Sequence, residues 1–354
     1  MEYAFSPLGS PETQFFFDIT PERILDAVET IGVRCTGRFL TLNSMENRVY
    51  EVQVEVEEPL KKPSDAFRII KFYRPGRWTK EQILEEHQFL LDLVECEVPV
   101  VAPLKDKNDQ TLFQVPGFEI FFAVFPKQGG RNPAELDDAQ MLQVGRLLAR
   151  LHNVGATKKA AHRLKVSPEN VAIQSLEFLL QSKMLPVEIA AQYEQLVRAI
   201  CESSSPWFEG VPLQRIHNDC HLGNLVWGDD GPFWVDFDDM AEGPCVQDVW
   251  LFLPGRDEYA QAKLRLLLEG YEQMRAFDRS TLRLIEPLRA MRMIYFTAWI
   301  AKRWEDPAFK RAFVDFNTNK YWREQLSQLQ EQLDFIQGNH QEVVEEEEYK
   351  FILE

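Results

Sequence analysis

"RIHNDCHLGNLVWGDDGPFWVDFDD", residues 215–239, gathers six aspartates, two asparagines and two of the chain's six histidines into one short stretch. Like charges this close repel, and each resists desolvation beside the others. Such a cluster persists where a cation sits in it. His217, Asp219 and Asn224 make H-x-D-x-x-x-x-N, and "FWVDFDD" places Asp236 at the end of an apolar run. Residues 225–227 and 233–235 can pair across the "GDDG" turn, which predicts a tight hairpin.

That hairpin would bring Asn224 and Asp236 together at opposite ends of its two strands. One neutral and one anionic oxygen ligand, with room for phosphates and water, suits Mg²⁺. Asp219, on the loop before the hairpin, could orient a hydroxyl. The pattern matches the phosphoryl-transfer template: a loop Asp as base, an Asn five residues on, and a second Asp on the metal. Upstream, Lys71 in "RIIKFYR" fits the lysine that holds the α/β-phosphates of ATP. Glu86, on the following helix, is placed to pair with Lys71, with Glu85 as the alternative.

Outward from this centre the chain changes character once. Residues 1–20 read as a loose leader, and "PERILDAVETIG" has helical spacing with Pro in front and Gly behind. "RFLTLNSMENRVYEVQVEV" reads as two strands joined by a polar turn at 43–47, and "AFRIIKFYR" as a third. "TKEQILEEHQFLLDLVE" is an amphipathic helix, and "FEIFFAVFP" a buried strand stopping at Pro126. "KQGGRNP" reads as a flexible hinge. Beyond it come "DDAQMLQVGRLLARLH", a helix, then more helix, the acidic segment, and a nearly all-helical remainder. The expected fold is therefore α+β and two-lobed, with a β-rich lobe over residues 1–126 and a helical lobe over 127–354. Its acidic tail, Glu345 to Glu348, reads as a solvated charge run.

Composition sets bounds. The 354 residues carry a formal charge of −17, which argues against nucleic-acid binding, since phosphate contacts need a basic surface. Five cysteines, Cys35, Cys96, Cys201, Cys220 and Cys245, form no C-x-x-C pair. They predict a reduced, cytoplasmic protein without a disulfide framework. The beginning of the chain lacks the basic and apolar regions of a signal peptide. The apolar stretch "MIYFTAWIA", bracketed by Arg292 and Lys302, is too short to span a bilayer. A monomer without membrane or nucleic-acid partners is expected.

Several segments together carry a more specific likeness. "LNSMENRVY", "KFYRPGRWTKEQILEEHQFLLDLVECEVPV", "FAVFPKQGGR", "HNDCHLGNLVW", "WVDFDDMAEGPCVQDVW" and "LIEPLRAMRMIYFTAWIAKRW" resemble the bacterial stress response kinase A (YihE) family. That family lies within the aminoglycoside phosphotransferase and choline kinase superfamily of protein-kinase-like folds. The resemblance implies a cytosolic Ser/Thr protein kinase using ATP and Mg²⁺, with Asp219 as proton acceptor and Asn224 and Asp236 as metal ligands. It also implies that Ser44 contacts ATP and that Asp248 buttresses the catalytic loop. Two departures stand out: the 43–47 turn has no glycine, and Asn218 replaces a glycine frequent in the superfamily.

Plainer readings apply to other residues. His217 is expected to brace the loop rather than ligate, and His221 receives no role. Asp238 and Asp239 are read as extra metal-shell oxygens or, by preference, as caps for the next helix, Cys220 as buried filler, and Trp299, Trp304, Tyr321 and Trp322 as core. The superfamily also phosphorylates choline, homoserine and aminoglycosides, so a small-alcohol kinase is the alternative acceptor class. A hydrolytic metal site on His217, Asp219, His221 and Asp236 leaves Lys71, Glu86 and Ser44 unexplained. The presence of Lys71, Asp219, Asn224 and Asp236 together weighs against a non-catalytic nucleotide-binding scaffold.

Overall fold

Period-two alternation gives the first part of the chain its sheet. A computed structural model of the protein describes Leu8, Phe16 and residues 19–339 apart from Glu57, Glu58 and Pro254. Most of the expected leader and the whole acidic tail lie outside the described residues. Helix α1 (Pro21–Glu29), capped by the Thr20 hydroxyl, leads into β1 (Cys35–Leu42) and β2 (Arg48–Val54). After β3 (Phe67–Phe72) comes α2 (Lys80–Glu95), which starts at a capping box between Thr79 and Gln82. Strands β4 (Phe113–Gln114) and β5 (Phe121–Pro126) complete an antiparallel sheet ordered β1-β2-β3-β5-β4.

Successive side chains in a strand point to opposite faces, and β3 uses both. Ile70 and Phe72 join a core with Ile24 and Val28 of α1 and with Phe122 and Val124 of β5. Ile69 and Lys71 alternate with them and line a cleft on the other face. Strand chemistry therefore delivers a lysine to the cleft while apolar neighbours anchor it from behind.

The remainder is helical around small sheet fragments. Helices α3 (Asp138–Gly155), α4 (Gln174–Ser182) and α5 (Val187–Phe208) precede β6 (Gln214–Ile216). The expected hairpin is present as β7 (Leu225–Gly228) and β8 (Gly231–Trp234), with Leu225 opposite Trp234 and Val226 opposite Phe233. Strand β9 (Ala241–Gly243) returns to pair with β6. Helices α6 (Val246–Trp250), α7 (Glu258–Glu272), α8 (Ile285–Lys302), α9 (Pro307–Ala312) and α10 (Asn319–Gln337) follow. Among the described residues no helix is long and apolar enough to cross a membrane.

The "KQGGRNP" segment is held more firmly than a free hinge. Arg131 and Trp227 exchange backbone hydrogen bonds at 3.0 and 2.8 Å, and the Asn132 amide donates to the carbonyls of Gly223 and Leu225. Gly130, at φ +144, permits this approach, since a Cβ there would stand 2.6 Å from the Trp227 carbonyl oxygen. The link between the sheet and the helices is thus stitched to the acidic hairpin.

Helices α3 and α7 meet backbone to backbone. A Cβ on Gly145 would lie 2.1 Å from the Leu267 carbonyl oxygen, and one on Gly270 would lie 2.1 Å from that of Leu142. The Gly270→Ala substitution must push the helices apart, because backbone cannot swing aside. We expect it to destabilise the protein by roughly 1–3 kcal/mol, although alanine is intrinsically the better helix former. Urea unfolding measures this, and an unchanged midpoint would mean that the helices part freely.

Candidate active site

Residues 217–224 form a loop whose shape is imposed by one buried carboxylate. Asp248, fully buried on α6, accepts the backbone N–H of His217 at 2.9 Å and of Asn218 at 2.7 Å. Its Oδ2 also lies 3.1 Å from His152 Nε2. His217 braces the loop from inside: Nε2 donates to the Val235 carbonyl at 2.9 Å, and Nδ1 accepts the Asp219 N–H at 3.3 Å. With both ring nitrogens committed, His217 is no metal ligand, and among the described residues no group of three His, Cys, Asp or Glu is arranged to hold a metal. Asn218 takes φ +69, a left-handed conformation that Asn tolerates better than most residues. It therefore does the work of the expected glycine, and its amide donates to the Asp239 carbonyl.

Asp219 stands at the tip of this loop. The Asn224 amide donates to its backbone carbonyl at 3.0 Å and to Oδ2 at 3.1 Å, and His221 Nε2 lies 3.3 Å from the same oxygen. A guanidinium nitrogen of Arg292, from α8, approaches Oδ1 to 2.9 Å, but the geometry is not that of a hydrogen bond. Oδ1 is therefore buried without a donor. Burial alone would raise the carboxyl, yet the His221 contact and the Arg292 charge outweigh it and hold Asp219 well below the carboxylate range.

Asn224 is spent on one side only. Its amide nitrogen donates to Asp219, and among the described residues nothing donates to its side-chain oxygen. Its backbone carbonyl accepts the Val235 N–H at 3.0 Å, keeping it beside Asp236. Asp236 adopts φ +60, and its carboxylate is 51% exposed in the cleft. Two oxygen donors, one neutral and one anionic, fit a hard divalent cation.

Lys71 does not pair with Glu86. Its ammonium lies 2.9 Å from Asp236 Oδ1 and 2.5 Å from Asp238 Oδ1. Burial opposes the charge, but Asp236, Asp238 and Glu86 together raise Lys71 well above its ordinary value. Glu86 is 1% exposed, and neither of its carboxylate oxygens has a hydrogen-bond partner. Burial first and the Asp238 charge second push it up to about 8. Glu85, the alternative, is committed elsewhere, accepting the backbone N–H groups of Ala161 and His162 at 2.7 and 2.9 Å.

Asp238 and Asp239 are not helix caps. Helix α6 starts after Cys245 without a side-chain cap. Asp238 is buried between Lys71 and the Asn47 amide, and Asp239 binds Arg77 at 2.7 Å. Trp322 is buried, and Trp299, Trp304 and Tyr321 pack against the core, with Trp299 also reaching the cleft. The Trp299 indole N–H donates to Glu46, a residue of the 43–47 turn, which Arg303 also grips at 2.9 and 3.1 Å. Within that turn the Ser44 hydroxyl accepts the Asn47 N–H at 3.3 Å. Ser44, Lys71, Glu86, Asp219, Asn224 and Asp236 all line a single cleft of about 730 Å³. Sequence reasoning missed Asn47, Arg77 and Arg292 and passed over Asp238 in favour of a cap; Asn47 and Arg77 reach the site across 191 and 162 residues. No local pattern marks them.

The model of the phosphotransferase enzyme family matches residues 41–284, from the end of β1 to the start of α8. The chain belongs to that family. It is 39% identical to stress response kinase A of Escherichia coli over 91% of this chain and 95% of that protein. It is 38% identical to the serine/threonine protein kinase RdoA of Salmonella typhimurium over 91% and 94%. Among solved structures, an amicoumacin kinase in complex with AMP-PNP, Ca²⁺ and Ami superposes with a TM-score of 0.67 at 16% identity, covering 87% of this chain and 93% of its own. That likeness speaks for the shared two-lobed, protein-kinase-like fold.

For a phosphotransferase, the lone carboxylate of Glu86 has a measurable signature. Folded, Glu86 keeps its proton up to about pH 8; unfolded, it loses it near 4.5. The folded state binds the extra proton between those values, so this contribution is present at low pH and lost as pH rises through 8. We expect nucleotide-free Glu86→Gln to remove a slope on the order of 2–4 kcal/mol between about pH 5 and pH 8. Denaturation at several pH values reads it, and parallel curves for the two proteins would refute the assignment.

Proposed function

We propose that the chain transfers the γ-phosphate of ATP to a Ser or Thr hydroxyl of a protein, with Asp219 receiving the hydroxyl proton. The observation that carries this reading is Asp219 Oδ1, a buried carboxylate oxygen ion-paired with Arg292 at 2.9 Å but accepting no hydrogen bond. Buried acceptors are nearly always satisfied, and a hydroxyl seated in the cleft would satisfy this one. Because Asp219 is so acidic, its main service is to orient the hydroxyl; the loose transition state of phosphoryl transfer asks for little deprotonation.

The other residues supply the donor side. Lys71 holds α/β-phosphate oxygens, and Ser44 with the backbone of the 43–47 turn covers the phosphates. Asn224 and Asp236 would hold Mg²⁺, which neutralises phosphate charge when bound. Protein rather than small-molecule acceptance rests on the relatives at 38–39% identity, one of which is named a serine/threonine protein kinase. Beside Asp219 lies a small pocket of about 60 Å³ lined by Leu164, Val166, Val171, Leu288 and Met291, with room for a small hydroxyl-bearing group of either acceptor class.

Radiolabelled ATP tests the reading with casein as protein acceptor and ethanolamine as small alcohol. Label should pass to casein, and Asp219→Asn should cut the rate by about 10²–10⁴-fold while ATP affinity holds within a few-fold. Lys71→Met should lower transfer and ATP affinity together, because each charged hydrogen bond lost is worth about 1.5–3 kcal/mol. Label on ethanolamine alone would replace the protein acceptor with a small one. Full activity of Asp219→Asn would remove the proposed role.

A further inference from the structure

Of the cations lining the cleft, Arg292 is the least committed. Lys71 is held by Asp236 and Asp238, Lys127 by Glu51 at 2.7 Å, and Arg77 by Asp239 and the Tyr295 hydroxyl. Arg292 has one ion pair, to Asp219, and its side chain is 39% exposed. It also borders both spaces: the cleft that contains Lys71 and the small pocket beyond Asp219. On the reading proposed above, with nucleotide in the cleft and acceptor hydroxyl in the small pocket, the reacting phosphorus passes between them.

Helix α8 places it there. Arg292, Tyr295, Trp299 and Arg303 follow at intervals of three and four, so they share one face. Trp299 and Arg303 grip Glu46 in the turn over the phosphate side, while Arg292 meets Asp219 on the acceptor side. Eleven residues of helix span about 16 Å, so one rigid rod runs past the whole line along which phosphate would travel. An arginine parked on the base, in ion-pair contact without a hydrogen bond, is poorly used where it stands.

We propose that Arg292 is a catalytic residue, its guanidinium leaving Asp219 to bind the equatorial oxygens of the phosphoryl group as it moves from donor to acceptor. This rests on the phosphotransferase reading above. In that step the acceptor oxygen bonds to the γ-phosphorus, the bond from phosphorus to the β-phosphate oxygen breaks, and the hydroxyl proton goes to Asp219. The planar guanidinium matches the charge spread over three oxygens, where a carboxylate-bound lysine would not. The exchange also frees Oδ1 for the hydroxyl.

Binding of MgADP with and without aluminium fluoride, a mimic of the transferring phosphoryl group, tests this without any acceptor. Wild type should bind the fluoroaluminate complex more tightly than MgADP, as transition-state mimics do. Arg292→Met should lose about tenfold or more of that gain while MgADP affinity stays within about threefold, and Arg292→Lys should recover part of it. The same loss should appear when Arg292→Met is added to Asp219→Asn. An undiminished gain in Arg292→Met would overturn the proposal. So would a loss that vanishes in the Asp219→Asn background, because Arg292 would then act only through Asp219. A wild-type protein that binds no MgADP would instead bring down the phosphotransferase reading itself.

Discussion

The ammonium of Lys71 is the constraint on which the rest depends. It is buried with Asp238 and Glu86 and touches the half-exposed Asp236. Removing one partner from such a group leaves an uncompensated charge and costs several kcal/mol, so the strand that carries Lys71 and the hairpin that carries Asp236 cannot separate cheaply. The lobes are therefore joined across the cleft by charge as well as by apolar contact, Phe237 packing edge-on against Phe89 of α2. Arg163 adds to the same knot, donating to the carbonyls of Asp238, Met240 and Gln82 and so tying the acidic turn to α2.

Around that knot the two segments that kinases commonly leave mobile are anchored. Helix α2 is fastened by Glu85 to the 161–162 backbone and by Asp92 to Arg215 at 2.7 Å. The 43–47 turn has no glycine, and its polar side chains replace glycine's adaptability with fixed contacts: Glu46 to Trp299 and Arg303, Asn47 to Asp238. Arg74 closes the arrangement, donating to the Glu46 and Met45 carbonyls while pairing with Asp306. A turn held by charge-assisted hydrogen bonds is preorganised, and preorganisation lowers the cost of binding whatever it covers.

What the sequence disclosed follows from the range of each interaction. The hairpin at 225–234, the strand bearing Lys71 and the capped helix after it are set by periodicity and turn chemistry within a dozen residues, and all were legible. His217 as brace was legible too, because its partners lie on its own loop and hairpin. The pairing of Lys71 was misjudged because three acids compete for one cation, and only tertiary placement decides among them. Asp238 and Asp239 look like caps when read locally; their partners, Asn47 and Arg77, lie 191 and 162 residues away. Arg292 was noticed only as the charged edge of an apolar helix.

Charge bookkeeping explains why the resting cleft is built this way. Asp219 is balanced by Arg292 and Asp239 by Arg77, and Glu86 is protonated near neutral pH. What remains is Lys71 and Arg163 against Asp236 and Asp238, a set that balances by simple summation. A bare triphosphate would add several negative charges to a site with no positive charge to spare. On the proposed reading it enters only with cations of its own, and each one that settles beside Asp236 loosens that residue's hold on Lys71. Asp238, 2.5 Å from the ammonium, keeps Lys71 paired when Asp236 turns to such a cation.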